Sequence, residues 1–420
     1  MKKMLKTAAV LAAMVMALTL GACSNDDDGG SGDGSGSGSG SGNTPNTPSN
    51  ENPFGFTEKD SNNYFCLDKD GIVLQKVEYP AAAKDVKGTV FLVYWTLTDG
   101  RGNVQLRKYY GNDEDVTIPD GVTEIGGFSG CSSLASVTIP DSATKIGDYA
   151  FSGCTSLESV TIPDGVTTID WEAFKGCTSL ASVTIPVSVT KIGKYAFQDC
   201  TSLESVTIPG SVTEIGQYAF QDCTSLASVT ISDGVTTIGQ YAFYDCSSLA
   251  SVTIPGSVTK ISQYAFYDCP NIETVNYTGT LKQWCEMDND LYLMMKVKNI
   301  KMPNGTNLKT ETQLVIPEGA TKIGVLAFDG CTSLASVSIP ASVTSIAEYA
   351  FRNCGQANAF EVSFAVQNGW YANSHSGGYS SYQIDVSDPS KNGKYLRSSS
   401  VFPTTDGTDW NIRGIYRETE

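Results

Sequence analysis

Between residues 113 and 354, with one interruption at 270–313, the chain repeats one pattern of apolar and polar positions every 23 residues. In the coil that starts at Leu157, the apolar Leu157, Val160 and Ile162 are spaced by Ser159 and Thr161. That alternation predicts a short, half-buried strand. Pro163 lacks the N–H a ladder needs, and Asp164-Gly165 completes a turn. Val166 to Ile169 predicts a second extended piece, and a tight helical or 3₁₀ turn then carries Ala173, Phe174 and Cys177 back to the start. The pattern points Leu, Val, Ile, Val, Ile, Ala, Phe and Cys inward in every coil. Cysteine marks the step at Cys131, Cys154, Cys177, Cys200, Cys223, Cys246 and Cys269, and again at Cys331 and Cys354. So short and faithful a period predicts a β-rich repeat solenoid. One coil cannot bury its own faces, so stability is shared between neighbours and the ends need covers.

The consensus Leu-x-Ser-Val-Thr-Ile-Pro-x-x-Val-Thr-x-Ile-Gly-x-Tyr-Ala-Phe-x-x-Cys resembles the BspA-type leucine-rich repeat, from about Val116 to Cys354. Tyr277-Thr-Gly-Thr-Leu-Lys-Gln-Trp284-Cys285 resembles the longer variant coil of that family, here spanning 270–313. The regular coil resumes at Leu314-Val-Ile-Pro317. Two coils depart: Ile125-Gly-Gly-Phe128 lacks the residues matching Tyr149-Ala150, and Asp170-Trp171-Glu172 loses the usual Gly and Tyr. The resemblance implies a non-catalytic surface protein that adheres to host matrix proteins or to other cells. Capture of a glycan or peptide for nutrient uptake, and a passive surface-layer spacer, are the alternatives.

Outside the repeats the pattern changes. Residues 1–22 have a basic start at Lys2, Lys3 and Lys6, then an apolar stretch from Ala8 to Leu20. That stretch is too short to span a bilayer comfortably and is flanked as a signal peptide is. Leu20-Gly21-Ala22-Cys23 resembles a lipobox, which implies a lipid on Cys23 and anchoring to a bacterial outer membrane. The acidic run Asp26-Asp27-Asp28 resembles a surface-export signal. Residues 23–53 are a Gly/Ser/Pro linker with no means of building a core. Residues 54–112 read as a small β module that caps the first coil, with strands near Tyr64–Asp68, Gly71–Tyr79, Thr89–Thr98 and Val104–Tyr110. Residues 355–420 read as a second β-rich module, with strands at Phe360–Val366, Tyr382–Val386, Tyr395–Phe402 and Trp410–Tyr416.

Charge and chemistry narrow the function. The net charge is −17, which disfavours nucleic acid and anionic lipid surfaces as partners. One histidine, His375, leaves no material for a His-based triad or a His-rich metal site. Asp385, Asp388, Asp406 and Asp409 lack a calcium-loop spacing and read as turn formers rather than a metal site or a glycosidase pair. No enzyme activity, cofactor or metal is expected. The cysteine column reads chiefly as buried thiol filler, with disulfides and metal as lesser alternatives: coils about 4.7–4.9 Å apart hold Cβ atoms a little wide for a disulfide. Cys66 and Cys285 lie outside that column.

Two outward columns remain. Ser136/Thr138 through Ser251/Thr253 form hydroxyl columns, which suit a crowded parallel sheet and also offer a flat surface to a peptide or glycan. Tyr149, Tyr195, Tyr218, Tyr241, Tyr264 and Tyr349 form an aromatic column, thickened by Tyr244 and Tyr267 near Trp284. Such rings seal coil edges or grip a ligand with little loss of side-chain entropy. The expected binding patch is therefore Tyr241, Tyr244, Tyr264, Tyr267 and Trp284, for an extracellular protein or glycan.

Overall fold

The computed structural model describes residues 53–88, 90–98, 101–355, 359–374, 381–383, 386–397, 402–403, 409–410 and 412–417. The signal segment, Cys23, the linker to 52, His375, Asp385 and Asp406 lie outside the described residues.

Each coil contributes one rung to two parallel sheets. The Ser-Val-Thr runs, such as Ser159–Thr161 and Ser182–Thr184, pair in register with Ser182 opposite Ser159 and Val183 opposite Val160. Stacked in this way they form a nine-stranded sheet that ends at Asn299–Lys301. The second pieces, such as Thr168–Ile169 and Lys191–Ile192, are only two residues long and stack into another sheet. The return segment is a chain of turns rather than a helix. Two residues per coil break it by adopting left-handed φ, for example Tyr195 at +59° and Asp199 at +59°. The return segments are still hydrogen-bonded from coil to coil: Phe174 N–H donates to Ala196 O at 2.8 Å, and Phe197 N–H to Ala219 O at 2.8 Å.

The inward set lies where the pattern places it. Phe128, Phe151, Phe174, Phe197, Phe220, Phe243 and Phe266 are buried and stack face to face at centroid spacings of 5.1–5.3 Å. Among the described residues no cysteine is in a disulfide. The column is more than filler. Cys177 Sγ donates to Phe151 O at 3.2 Å and Cys200 Sγ to Phe174 O at 3.2 Å, so each thiol satisfies a carbonyl of the previous coil. Cys66 packs with Val77, Ala83 and Leu92, and Cys285 is buried in the variant coil.

At the N-terminal end, the strand Arg101–Tyr109 runs parallel to Glu124–Ile125 of the first coil. Behind it lie Phe91–Thr98, Asn63–Leu67 and Val73–Val77, all antiparallel. Tyr109 packs on Phe128 at a tilt, 5.1 Å between centroids, so the phenylalanine column continues into this module. The short first coil passes close beneath: a Cβ on Gly127, at φ +85°, would sit 2.6 Å from Lys108 N.

The interruption folds differently from the regular coil. It forms two helices, Leu281–Glu286 and Leu291–Lys296, before the sheet restarts at Gln313–Val315. At the C-terminal end, Glu361–Phe364 continues the strand column beyond Ser336–Ile339. Residues Pro389–Arg397, where part of a strand was expected, form a helix. Asp388 caps it: its Oδ1 accepts Ser390 N–H at 3.0 Å and Lys391 N–H at 3.3 Å. Among the described residues no helix is long and apolar enough to cross a membrane.

Candidate functional site

Tyrosine recurs at the first left-handed position of the return turn, where a bulky side chain is strained. The strain is offset by the inter-coil bond its N–H makes, as from Tyr195 to Gln217 O and from Tyr218 to Gln240 O, both 3.0 Å. With the backbone so fixed, the rings stack outside the coil. Tyr195, Tyr218, Tyr241 and Tyr264 follow at 4.8, 4.9 and 5.1 Å. All are half-buried, with one face against the neighbouring ring.

Tyr244 and Tyr267 add a second short row, 5.6 Å apart, and meet the first row edge-on at 5.8 and 5.7 Å. Tyr292, on the helix Leu291–Lys296, closes the cluster. Its ring lies 5.3 Å from Tyr264 and 4.3 Å from Tyr267. The sequence reading missed Tyr292 because it sits in the variant coil, out of register with the column. It also missed the residue that places it. Asp290 is buried, caps that helix by accepting Leu293 N–H at 3.1 Å, and accepts Tyr264 N–H at 2.8 Å. Burial pushes the Asp290 carboxyl up, although several backbone N–H groups oppose the shift.

Trp284 does not belong to this patch. It is completely buried, its indole N–H donates to Ala327 O at 2.8 Å, and its ring meets Tyr277 edge-on at 5.0 Å. An indole whose polar handle is satisfied inside the core has nothing to offer a ligand. An exposed tryptophan lies instead at Trp171, 5.0 Å from Tyr149.

Charge varies along the ring column. Lys194 Nζ stands 4.9 Å from the Tyr195 centroid and 5.7 Å from Tyr218, and Lys175 Nζ 5.4 Å from Tyr195. Among the described residues no cation covers Tyr241, Tyr244, Tyr264 or Tyr267 in this way. The second left-handed position brings Asp199, Asp222, Asp245 and Asp268 into one column beside these rings. Burial pushes the Asp245 carboxyl up, and Asp222 and Asp268 add to the effect. Among the described residues no group of three or more His, Cys, Asp or Glu is arranged to hold a metal.

The chain is similar to a T. pallidum leucine-rich repeat protein at 36% identity, covering 43% of this chain and 87% of that one, with a TM-score of 0.40. It is similar to a leucine-rich cell surface protein of Faecalibacterium prausnitzii at 33% identity, covering 66% and 75%, with a TM-score of 0.41. It is also similar to a Bacteroides ovatus leucine-rich repeat protein at 22% identity, covering 65% and 98%, with a TM-score of 0.33. A search of curated proteins finds no match. The model of the BspA type leucine rich repeat region matches residues 108–227, 167–292 and 304–373, well over half of the sequence, and the chain belongs to that family.

Proposed function

We propose that the chain is a lipid-anchored bacterial surface protein that adheres to a protein ligand through Tyr241, Tyr244, Tyr264, Tyr267 and Tyr292. The observation that carries this reading is the contiguous half-buried ring cluster beside the carboxylates of Asp245 and Asp268. The ligand it suits presents lysine or arginine: ring faces and carboxylates both attract a cation. Higher on the same column the chain's own Lys194 occupies that position. The family resemblance and the lipobox-like Leu20-Gly21-Ala22-Cys23 support an outer-membrane, surface-exposed location.

The test pairs Tyr244→Ser with Tyr267→Ser. Neither residue is at positive φ, so the swap strains no turn. Binding is measured to immobilised matrix proteins and to polysaccharides. The expected result is at least a tenfold loss toward one protein with an unchanged melting transition. Loss toward a polysaccharide instead selects glycan capture, and unchanged binding to everything removes the patch from the function. For the anchor, Cys23→Ala is expected to abolish the acyl mass and release the protein from membranes. Full membrane partition of that variant, with no acyl mass on the wild type, sinks the anchoring claim.

A further inference from the structure

A second surface lies where the strand column is broken. The nine-stranded sheet ends at Asn299–Lys301, and a separate three-stranded sheet begins at Gln313–Val315. The two edges that face each other across the break differ. On the first, Ile300 is closed off by its own chain: Ile300 N–H donates to Asn307 Oδ1 at 3.0 Å, and Leu308 N–H donates to Ile300 O at 3.0 Å. Asn307 Nδ2 also donates to Asn299 Oδ1 at 3.0 Å, which fixes the seal.

The second edge has no such seal. Thr312 O accepts Ser336 N–H, and Ile316 N–H donates to Ser338 O. Leu314 stands opposite Val337 in the same ladder. In a parallel ladder alternate residues face opposite neighbours. Gln313 and Val315 therefore turn their N–H and C=O groups away from the sheet and into the break. No intramolecular hydrogen bond of those backbone groups is present among the described residues. Beside them lies a cavity of about 510 Å³ whose apolar walls include Leu281, Met302, Leu308 and Leu314. A second cavity of about 400 Å³ adjoins it at Val315. Val315 itself is 70% exposed, in the column position that Thr or Ser fills in the regular coils.

We infer that this edge is a docking site for an extended segment of another protein, which adds a strand beside Gln313–Val315 and places an apolar side chain in the cavity. The backbone pattern selects the occupant's conformation, because only an extended chain offers donors and acceptors at the spacing of the free edge. The cavity selects its chemistry, since the walls are mostly hydrocarbon. The linker of this chain does not qualify: residues 24–53 contain no Val, Ile, Leu, Met, Phe, Tyr or Trp. A second copy pairing edge to edge is the competing occupant, which the dimerisation outcome of the test separates. This site is independent of the tyrosine cluster.

The probe is a capped hexapeptide of alternating threonine and valine, titrated calorimetrically into the full chain. A second peptide carries N-methyl groups on alternate amides. Two variants act on the two halves of the site. Val315→Pro removes an edge N–H that no ladder bond uses, a strand position where proline is tolerated. Leu281→Trp fills the cavity and leaves the edge intact. Saturable binding is expected for the unmodified peptide, with at least a tenfold loss on N-methylation and in each variant. Val315→Thr, which restores the regular column, is expected to bind as wild type does. Absence of saturable binding at millimolar peptide overturns the inference. So does binding indifferent to N-methylation and to Leu281→Trp, the variant that decides if Val315→Pro fails to fold. Peptide-free dimerisation that Val315→Pro abolishes assigns the edge to self-association and overturns it as well.

Discussion

Two left-handed residues per coil shape the exposed side of the return turn. The second is glycine at Gly153 and Gly176, aspartate at Asp199, Asp222, Asp245 and Asp268, and asparagine at Asn353. Those are the residue types that tolerate the conformation. Aspartate meets the backbone demand but stacks like charges from coil to coil. Burial and then Asp222 push the Asp199 carboxyl up, and Asp245 is pushed up in the same way. A carboxyl whose pKa is raised by folding weakens the fold while ionised. The loss is present at neutral pH and disappears as pH falls through the folded pKa to below the ordinary value near 4. Asp245→Asn keeps the turn, as Asn353 demonstrates, and removes one charge. We expect it to stabilise the protein by about 0.5 kcal/mol at pH 7, the scale of like charges facing each other across strands. Urea denaturation should show the gain vanish near pH 3; an equal gain at both pH values would disprove the repulsion. The same substitution should weaken a cationic ligand, so stability and binding oppose each other at this residue.

At the scale of the element, the coil was legible because its periods are strict. Alternation locates Ser159–Thr161, proline ends the run, and a recurring Phe and Cys mark the inward return. The irregular elements were harder to read. The six residues of Leu281–Glu286 are too few to show a helical stripe, and the visible signal was the capping box of Thr280 and Gln283. Asp388-Pro389 gave the matching start signal for Pro389–Arg397. Trp284 was misplaced for the same reason, since the inward face of an unrecognised helix cannot be assigned. The regular coil also supports a quantitative expectation. Phe220 lies 5.2 Å from Phe197 and 5.3 Å from Phe243 and is fully buried. Phe220→Ala should cost about 3–5 kcal/mol, felt mainly in its own and adjacent coils. Adding Phe243→Ala should cost less than the two separately, because their mutual contact is lost only once. Hydrogen exchange resolved by coil checks both; strict additivity would mean the rings do not support one another.

Across the whole molecule, the question is how a stack that derives its stability from neighbours survives a break. The strand ladder stops at Asn299–Lys301 and restarts at Gln313–Val315, so other bonds must carry the coupling. Trp284 indole N–H reaches Ala327 O, and Gly324 N–H donates to Cys285 O at 2.6 Å. A further link uses a charged donor on neutral backbone carbonyls. Lys309 is buried, and its Nζ donates to Met294 O at 3.2 Å and to Asp329 O at 2.6 Å. It thereby joins the helix Leu291–Lys296 to the first return turn beyond the break. The Asp329 side chain is held in turn by Arg352 of the next coil, at 2.7 and 2.9 Å. Lys309→Met preserves the hydrocarbon stem and removes the donors, which leaves two carbonyls without their partner. We expect a loss of about 2–3 kcal/mol, the scale of a buried charged hydrogen bond. Because coupling in a repeat stack is local, the loss should fall on one side of the break. Exchange protection should drop across 313–355 and persist across the coils from Ser136 to Ile254, with urea unfolding separating into two steps. A single cooperative transition with protection lowered evenly would show that the break is bridged elsewhere, and that Lys309 is not the joint between the two stretches of coil.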